Sequence, residues 1–171
     1  MADKSIYQFN VQCPNCELIS LSEFRNKVLL IVNTASECGF TPQLRNLELL
    51  RREFEAEAFE VLAFPSNDFG NQEPLNGEFI SRFCEDNFNT NFLVFNKIHV
   101  KGPEAHPLFK FLRDKKQNGK ISSLPRWNFH KYLINKTGEV VDYFYPFTKP
   151  DSEKVKRRIR YLLESSSQQS I

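Results

Sequence analysis

Five consecutive apolar residues, Val28-Leu29-Leu30-Ile31-Val32, constrain this chain more than anything else in it. The run has the length of a strand, and none of its side chains suits water. A strand that is apolar on both sides must be covered on both faces. From Gln43 to Glu57, Leu44, Leu47, Leu50 and Phe54 recur at the spacing of one helix face. Phe59 to Phe64 forms a second apolar run of strand length. Strand, helix and strand make a β-α-β unit, which predicts parallel strands and a right-handed crossover.

The flanking segments extend this core. Ser5 to Val11, with apolar Ile6, Phe9 and Val11, is expected to be a strand. Cys13-Pro14-Asn15-Cys16 reads as a turn, and Leu18 to Leu21 as the returning arm of a hairpin. Asn76 to Cys84 reads as a helix, with Phe79 and Phe83 one turn apart, as are Ile80 and Cys84. A shorter helix is expected from Glu104 to Arg113. Tyr132-Leu133-Ile134 and Val140-Val141-Asp142-Tyr143 flank Asn135-Lys136-Thr137-Gly138, a hairpin signal. Pro150-Asp151 opens a last helix with Val155, Ile159, Leu162 and Leu163 on one face. The fold class is therefore α/β. A mixed central sheet flanked by helices, with an N-terminal β-hairpin, is expected in the thioredoxin-like arrangement. No linker or repeat divides the 171 residues, so a single domain over 1–171 is expected, with its core at about 6–163. Both ends are expected to be loose, and Ser165-Ser166-Ser167-Gln168-Gln169-Ser170 is too polar to pack.

Composition excludes some functions. The net charge of +2, from 23 basic and 21 acidic residues, gives no field for nucleic acid or an anionic membrane surface. No apolar run approaches the ~20 residues of a membrane span. The polar start Met1-Ala2-Asp3-Lys4-Ser5 lacks the apolar stretch of a signal peptide, so a cytoplasmic protein is expected. Four cysteines, Cys13, Cys16, Cys38 and Cys84, are too few for a disulfide scaffold and fit one or two working thiols in a reducing compartment.

Chemistry concentrates where the first strand meets the first helix. Asn33-Thr34-Ala35-Ser36-Glu37-Cys38-Gly39-Phe40-Thr41-Pro42 joins the two. Thr41 is the expected N-cap and Pro42 the first helical residue. Cys38 then lies just before a helix start, where unpaired amides and the helix dipole favour an anion. The thiolate is such an anion, and it is the nucleophilic form. Gly39 leaves room beside the sulfur. On position alone, a buried and inert thiol fits as well.

The segment Asn33 to Thr41 closely resembles the glutathione peroxidase motif around the active-site selenocysteine or cysteine. Leu62-Ala63-Phe64-Pro65-Ser66-Asn67-Asp68-Phe69-Gly70-Asn71-Gln72-Glu73-Pro74 resembles the second signature of that family, and Trp127-Asn128-Phe129 the third. The three blocks occur in family order, and the resemblance runs from about Ile6 to Leu163. It is closest to the short, monomer-type members, including the phospholipid hydroperoxide and endoplasmic-reticulum branches. The resemblance implies that Cys38 is the peroxidatic residue and that Gln72, Trp127 and Asn128 complete a tetrad. An indole N–H and two side-chain amides are neutral donors that can stabilise a thiolate and hold a peroxide. Without that pattern, Trp127 would be read as core and Gln72 and Asn128 as loop caps. The implied function is a thiol-dependent peroxidase. It reduces hydrogen peroxide and organic or lipid hydroperoxides through a Cys38 sulfenic acid, regenerated by glutathione or a thioredoxin-like dithiol protein. No bound cofactor or metal is expected. A monomer is expected because tetrameric members carry an extra loop before the Trp-Asn block that is missing here.

Some positions depart from the pattern. Ser66 replaces the Cys of Phe-Pro-Cys-Asn, and Leu44 and Arg45 stand where Asn and Tyr are common. Cys84 lies near the place of the resolving cysteine of thioredoxin-dependent members; equally, its spacing from Ile80 suits a packed thiol. Cys13 and Cys16 could form a redox dithiol or half a zinc site, but a hairpin tip favours simple turn thiols. His99, His106 and His130 are scattered and read as surface or structural residues. The basic residues of the last helix, such as Lys156 and Arg158, read as a solvated face. A Cys38 that replaces a native selenocysteine would give the same sequence. Two other functions remain: a peroxide sensor that passes oxidation to a partner, and a dithiol oxidoreductase using Cys13 and Cys16.

Overall fold

The computed structural model describes residues 2–165, so the expected loose tail after Ser165 lies outside the described residues. In chain order the strands are β1 Asn10–Gln12, β2 Leu18–Ser20, β3 Val28–Thr34, β4 Phe59–Pro65, β5 Leu93–Val94, β6 Lys131–Ile134 and β7 Val140–Phe144. The helices are α1 Gln43–Glu53, α2 Glu78–Phe88, α3 Pro107–Arg113, α4 Lys115–Asn118 and α5 Glu153–Ser165.

The apolar run is the middle of the molecule. β3 is the central strand of a five-stranded sheet in the order β5-β4-β3-β6-β7. All seven of its residues are buried. It pairs in parallel with β4 from Val28↔Phe59 to Thr34↔Pro65, and antiparallel with β6 from Leu29↔Ile134 to Val32↔Lys131. The sheet is thus mixed, and the β-α-β unit is β3-α1-β4. Alternate residues of β3 face two separate cores. Val28, Leu30 and Val32 pack with Leu44, Leu47 and Leu50 of α1 and with Val155 and Ile159 of α5. Leu29 and Ile31 face the opposite core with Leu108, Phe109 and Leu112 of α3. This is a thioredoxin-like architecture: helices on both faces of a mixed sheet, with the antiparallel hairpin β1-β2 at the N-terminal end.

The N-terminal segment differs from expectation. Ile6–Gln8 is a 3₁₀ turn, and only Asn10–Gln12 is extended. Ile6 and Phe9 are three residues apart, which is turn spacing rather than strand spacing. The Ser5 hydroxyl accepts from the Tyr7 amide, and Ile6 donates to the Gly138 carbonyl, so Ile6 and Tyr7 bury together. Gly138 has φ +85°, and a Cβ there would stand 2.7 Å from the Tyr7 ring. The turn of the β6-β7 hairpin therefore needs glycine both for its backbone and for the N-terminal turn it receives.

Candidate active site

Cys38 sits in the loop between β3 and α1, at the carboxyl end of the central strand. Its loop is closed by its own hydrogen bonds. The Thr41 hydroxyl donates to the Ala35 carbonyl at 2.8 Å and accepts from the Cys38 amide at 2.9 Å. Thr41 therefore fastens the cysteine loop and is not the helix cap expected of it. Pro42, with φ −56° and ψ −17°, stands immediately before α1 and supplies no side-chain cap. The Phe40 amide points at Cys38 Sγ, 3.3 Å away. Cys38 is 8% exposed, and nothing lies within 4 Å of the Cβ position at Gly39, so one side of the loop is open.

Gln72 and Asn128 come together although 56 residues separate them. Asn128 Nδ2 donates to Gln72 Oε1 at 2.9 Å, which leaves the amide nitrogen as the donor end of Gln72. The Glu37 amide donates to the Gln72 carbonyl at 2.9 Å, which fastens this loop to the residue before Cys38. Trp127 is anchored to the end of β3: Asn33 Nδ2 donates to its carbonyl at 3.1 Å, and Phe129 N–H donates to the Asn33 carbonyl. Phe129 takes φ +68°, so the chain turns sharply here before entering β6. The indole packs against both cores, including the cluster that contains Cys38. Gly70 has φ +67°, and a Cβ there would stand 3.0 Å from Trp127 Cη2; glycine lets the ring lie against this backbone.

A buried pair that sequence reasoning missed backs the cysteine loop. Ser36 Oγ donates to Glu73 Oε1 at 2.7 Å. Glu73 is 1% exposed, and burial pushes its carboxyl up despite the donors from Ser36 and Leu75. Lys131 was also missed. It is fully buried in β6, with Nζ donating to the Pro146 carbonyl at 3.1 Å, and burial lowers it to about 7. Gln43 Nε2 donates to the same carbonyl at 2.7 Å, so Lys131 and Gln43 together hold the 145–146 segment over the start of α1. The available signal was a lysine inside the otherwise uncharged run from Phe129 to Ile134.

The other cysteines differ in kind. Cys84 is buried on α2 in the same cluster as Cys38. Burial, with the charges of Glu73 and Glu85, pushes its thiol up to about 12. It is a neutral thiol in this conformation. Cys13 and Cys16 occupy the β1-β2 tip, where the Cys16 amide donates to the Cys13 carbonyl. Burial, then Glu17 and Glu23, raises the Cys13 thiol, which disfavours it as a nucleophile. Among the histidines, His106 caps α3 through Nδ1 and the Leu108 amide, and exposed His99 pairs with Asp68 at 2.7 Å. His130 is buried among Tyr132, Tyr143 and Tyr145. Arg45, at one of the unusual positions of α1, lies over the Phe88 ring of α2.

The family model described as glutathione peroxidase matches residues 6–113. The chain belongs to the glutathione peroxidase family. A Lactococcus lactis glutathione peroxidase is 42% identical over 159 residues, covering 93% of this chain and 99% of the relative. A hydroperoxy fatty acid reductase of Synechocystis is 43% identical over 155 residues, covering 88% and 92%. Among solved structures, T. cruzi GPX1 superposes with a TM-score of 0.73 at 30% identity, covering 93% of this chain and 96% of that one. As a member of the glutathione peroxidase family, the chain is a thiol peroxidase, an oxidoreductase that acts on hydroperoxides and draws its electrons from a thiol. The family match ends before Trp127.

Proposed function

We propose that Cys38 is the peroxidatic residue in a tetrad with Gln72, Trp127 and Asn128, in which Gln72 and Trp127 are the donors and Asn128 holds Gln72 in place through Nδ2. The observation that carries this reading is the set of bonds from Glu37 to Gln72 and from Gln72 to Asn128, which ties three sequence-distant blocks to one loop. Cys38 thiolate attacks one peroxide oxygen, the O–O bond breaks, and the sulfur becomes a sulfenic acid. The departing oxygen takes a proton and leaves as water or alcohol. Donors of fixed position lower the cost of charge on that oxygen. A thiolate then attacks the sulfenic sulfur, water leaves, and a second thiol resolves the disulfide. Glutathione or a thioredoxin-like dithiol protein supplies those thiols.

Cys84 is the candidate resolving residue. Its raised thiol and 3% exposure mean that α2 must open before it can attack. If it does not serve, an external thiol reduces Cys38 directly, and oxidation passed to a partner becomes the competing role. Hydrogen peroxide and organic or lipid hydroperoxides, including fatty acid hydroperoxides, are the substrates in this reading. The protein acts as a cytoplasmic monomer, in keeping with its four free thiols. Turnover with glutathione and with thioredoxin, on hydrogen peroxide and on a phospholipid hydroperoxide, tests the reading. Oxidation of Cys38 no faster than that of a free thiol would remove it.

A further inference from the structure

Trp127 has a second face. It packs against the cluster that holds Cys38, and it also lines an open cleft of about 420 Å³. Two loops make the walls of this cleft, one bringing Phe69 and Gly70 and the other Lys101 and Gly102. Asp68 ties the loops together. Its carboxylate accepts from His99 Nδ1 at 2.7 Å, from the Val100 amide at 2.7 Å and from the Lys101 amide at 3.2 Å. The walls are therefore fixed relative to one another.

Every charged side chain lining the cleft is a cation: Lys101, Arg113 and Arg126. The Lys101 ammonium stands 5.0 Å from the centre of the Phe69 ring. Arg113 donates through Nη2 to the Gly102 carbonyl at 3.2 Å, which orients the guanidinium and leaves further donors for a ligand. The cleft is also lined by the apolar side chains of Phe69, Leu124 and Pro125 and by Trp127. An anionic head with an apolar tail matches this combination. A guanidinium fork suits a carboxylate in particular.

We propose that this cleft binds the carboxylate of a long-chain acid hydroperoxide, whose acyl chain lies along Phe69 and Trp127 toward Cys38. The proposal rests on the peroxidase reading and names a subsite for it. A cleft of this size takes one head and part of one chain, whereas a phospholipid carries a second chain. Glutathione also carries carboxylates but has no apolar tail to cover the floor.

The test is single-turnover oxidation of Cys38 in the full chain. The probes are linoleic acid hydroperoxide, its methyl ester and hydrogen peroxide, at monomeric lipid concentrations and low salt. The acid should react about fivefold or more faster than the ester, the scale of one exposed ion pair. Added salt should reduce that ratio, as should Lys101→Ala and Arg126→Ala, with the hydrogen peroxide rate as the reference in each protein. Arg113→Lys, which keeps the charge and loses the fork, should lower it in part. Equal rates for acid and ester in the unmodified protein overturn the proposal. Equal rates together with a raised glutathione KM in Lys101→Ala assign the cleft to the reductant and overturn it too. Failure of all three hydroperoxides to oxidise Cys38 counts instead against the peroxidase reading itself.

Discussion

Cys38 and its neighbours show how far single residues carry the function. Cys38→Ser should abolish peroxide turnover while the fold persists, since a hydroxyl is not a usable anionic nucleophile near neutral pH; turnover near the unmodified rate would remove Cys38 from its role. Gln72→Ala and Trp127→Phe each delete a donor. Each should slow the peroxide reaction by about 1.5–3 kcal/mol of barrier, the scale of a hydrogen bond to a charged partner. Stopped-flow rate constants that do not change in either variant would exclude both donors. His130 gives a prediction of another kind. Burial lowers its imidazole to about 4, so the folded protein binds that proton less readily than the unfolded chain. Stability should fall as pH drops below about 6.5 and level out below about 4, by up to about 3 kcal/mol from this residue. Urea titrations across that range should show a shallower acid loss in His130→Gln. The place of Cys38, in the loop between β3 and α1, was legible in the sequence because a short segment fixes it. Ser36–Glu73 and Lys131 were not, since their partners lie 37 and 15 residues away and appear only when the loops close.

At the level of elements, α1 and α2 hold the balance between order and resolution. Glu48, 2% exposed on α1, accepts from Arg51, Arg52 and the Asn91 amide just before β5. Burial alone would raise its carboxyl, but these donors hold it below the usual range. Glu48→Gln should cost about 1–3 kcal/mol in denaturant unfolding, because charged hydrogen bonds become neutral ones and a donor is left unpaired. A change within error would mean that the cluster is water-exchangeable. α2 must move if Cys84 serves. Peroxide should then produce a Cys38–Cys84 disulfide by mass mapping, with faster amide exchange in 78–88 of the oxidised protein. A sulfenic acid that persists at Cys38 while Cys84 stays reduced would leave resolution to an external thiol. The helices and the β3-α1-β4 unit were readable from periodicity, which packing reinforces. The N-terminal strand was not, because a turn at Ile6–Gln8 buries Ile6 and Tyr7 against the β6-β7 hairpin, which local sequence does not reveal.

The whole molecule presents the Cys38 loop at the carboxyl end of a central strand, with the cleft beside Trp127 open to solvent. Without an added loop before Trp127, the chain should sediment as a monomer at micromolar concentration; a stable tetramer would contradict this. The same openness predicts that bulky hydroperoxides reach Cys38. Reaction with hydrogen peroxide but none with a phospholipid hydroperoxide in detergent would restrict the enzyme to small substrates. The basic residues of α5 need no membrane to explain them, since Lys156, Arg158 and Arg160 pair with Glu53, Asp142 and Glu153.

The antiparallel pairing of β3 with β6 has a consequence for the growing chain. A ribosome delivers Asn33 and Cys38 long before it delivers Trp127 and Asn128. Until the last hairpin emerges and locks onto β3, a nascent chain carries the thiol and Gln72 but lacks Trp127 and Asn128. The enzyme is thus synthesised in an unarmed form, and catalytic competence should appear as one of its last steps of maturation. Pulse-labelled chains halted at residue 120 should therefore show no more peroxide sensitivity than an ordinary cysteine, while released full-length chains acquire it.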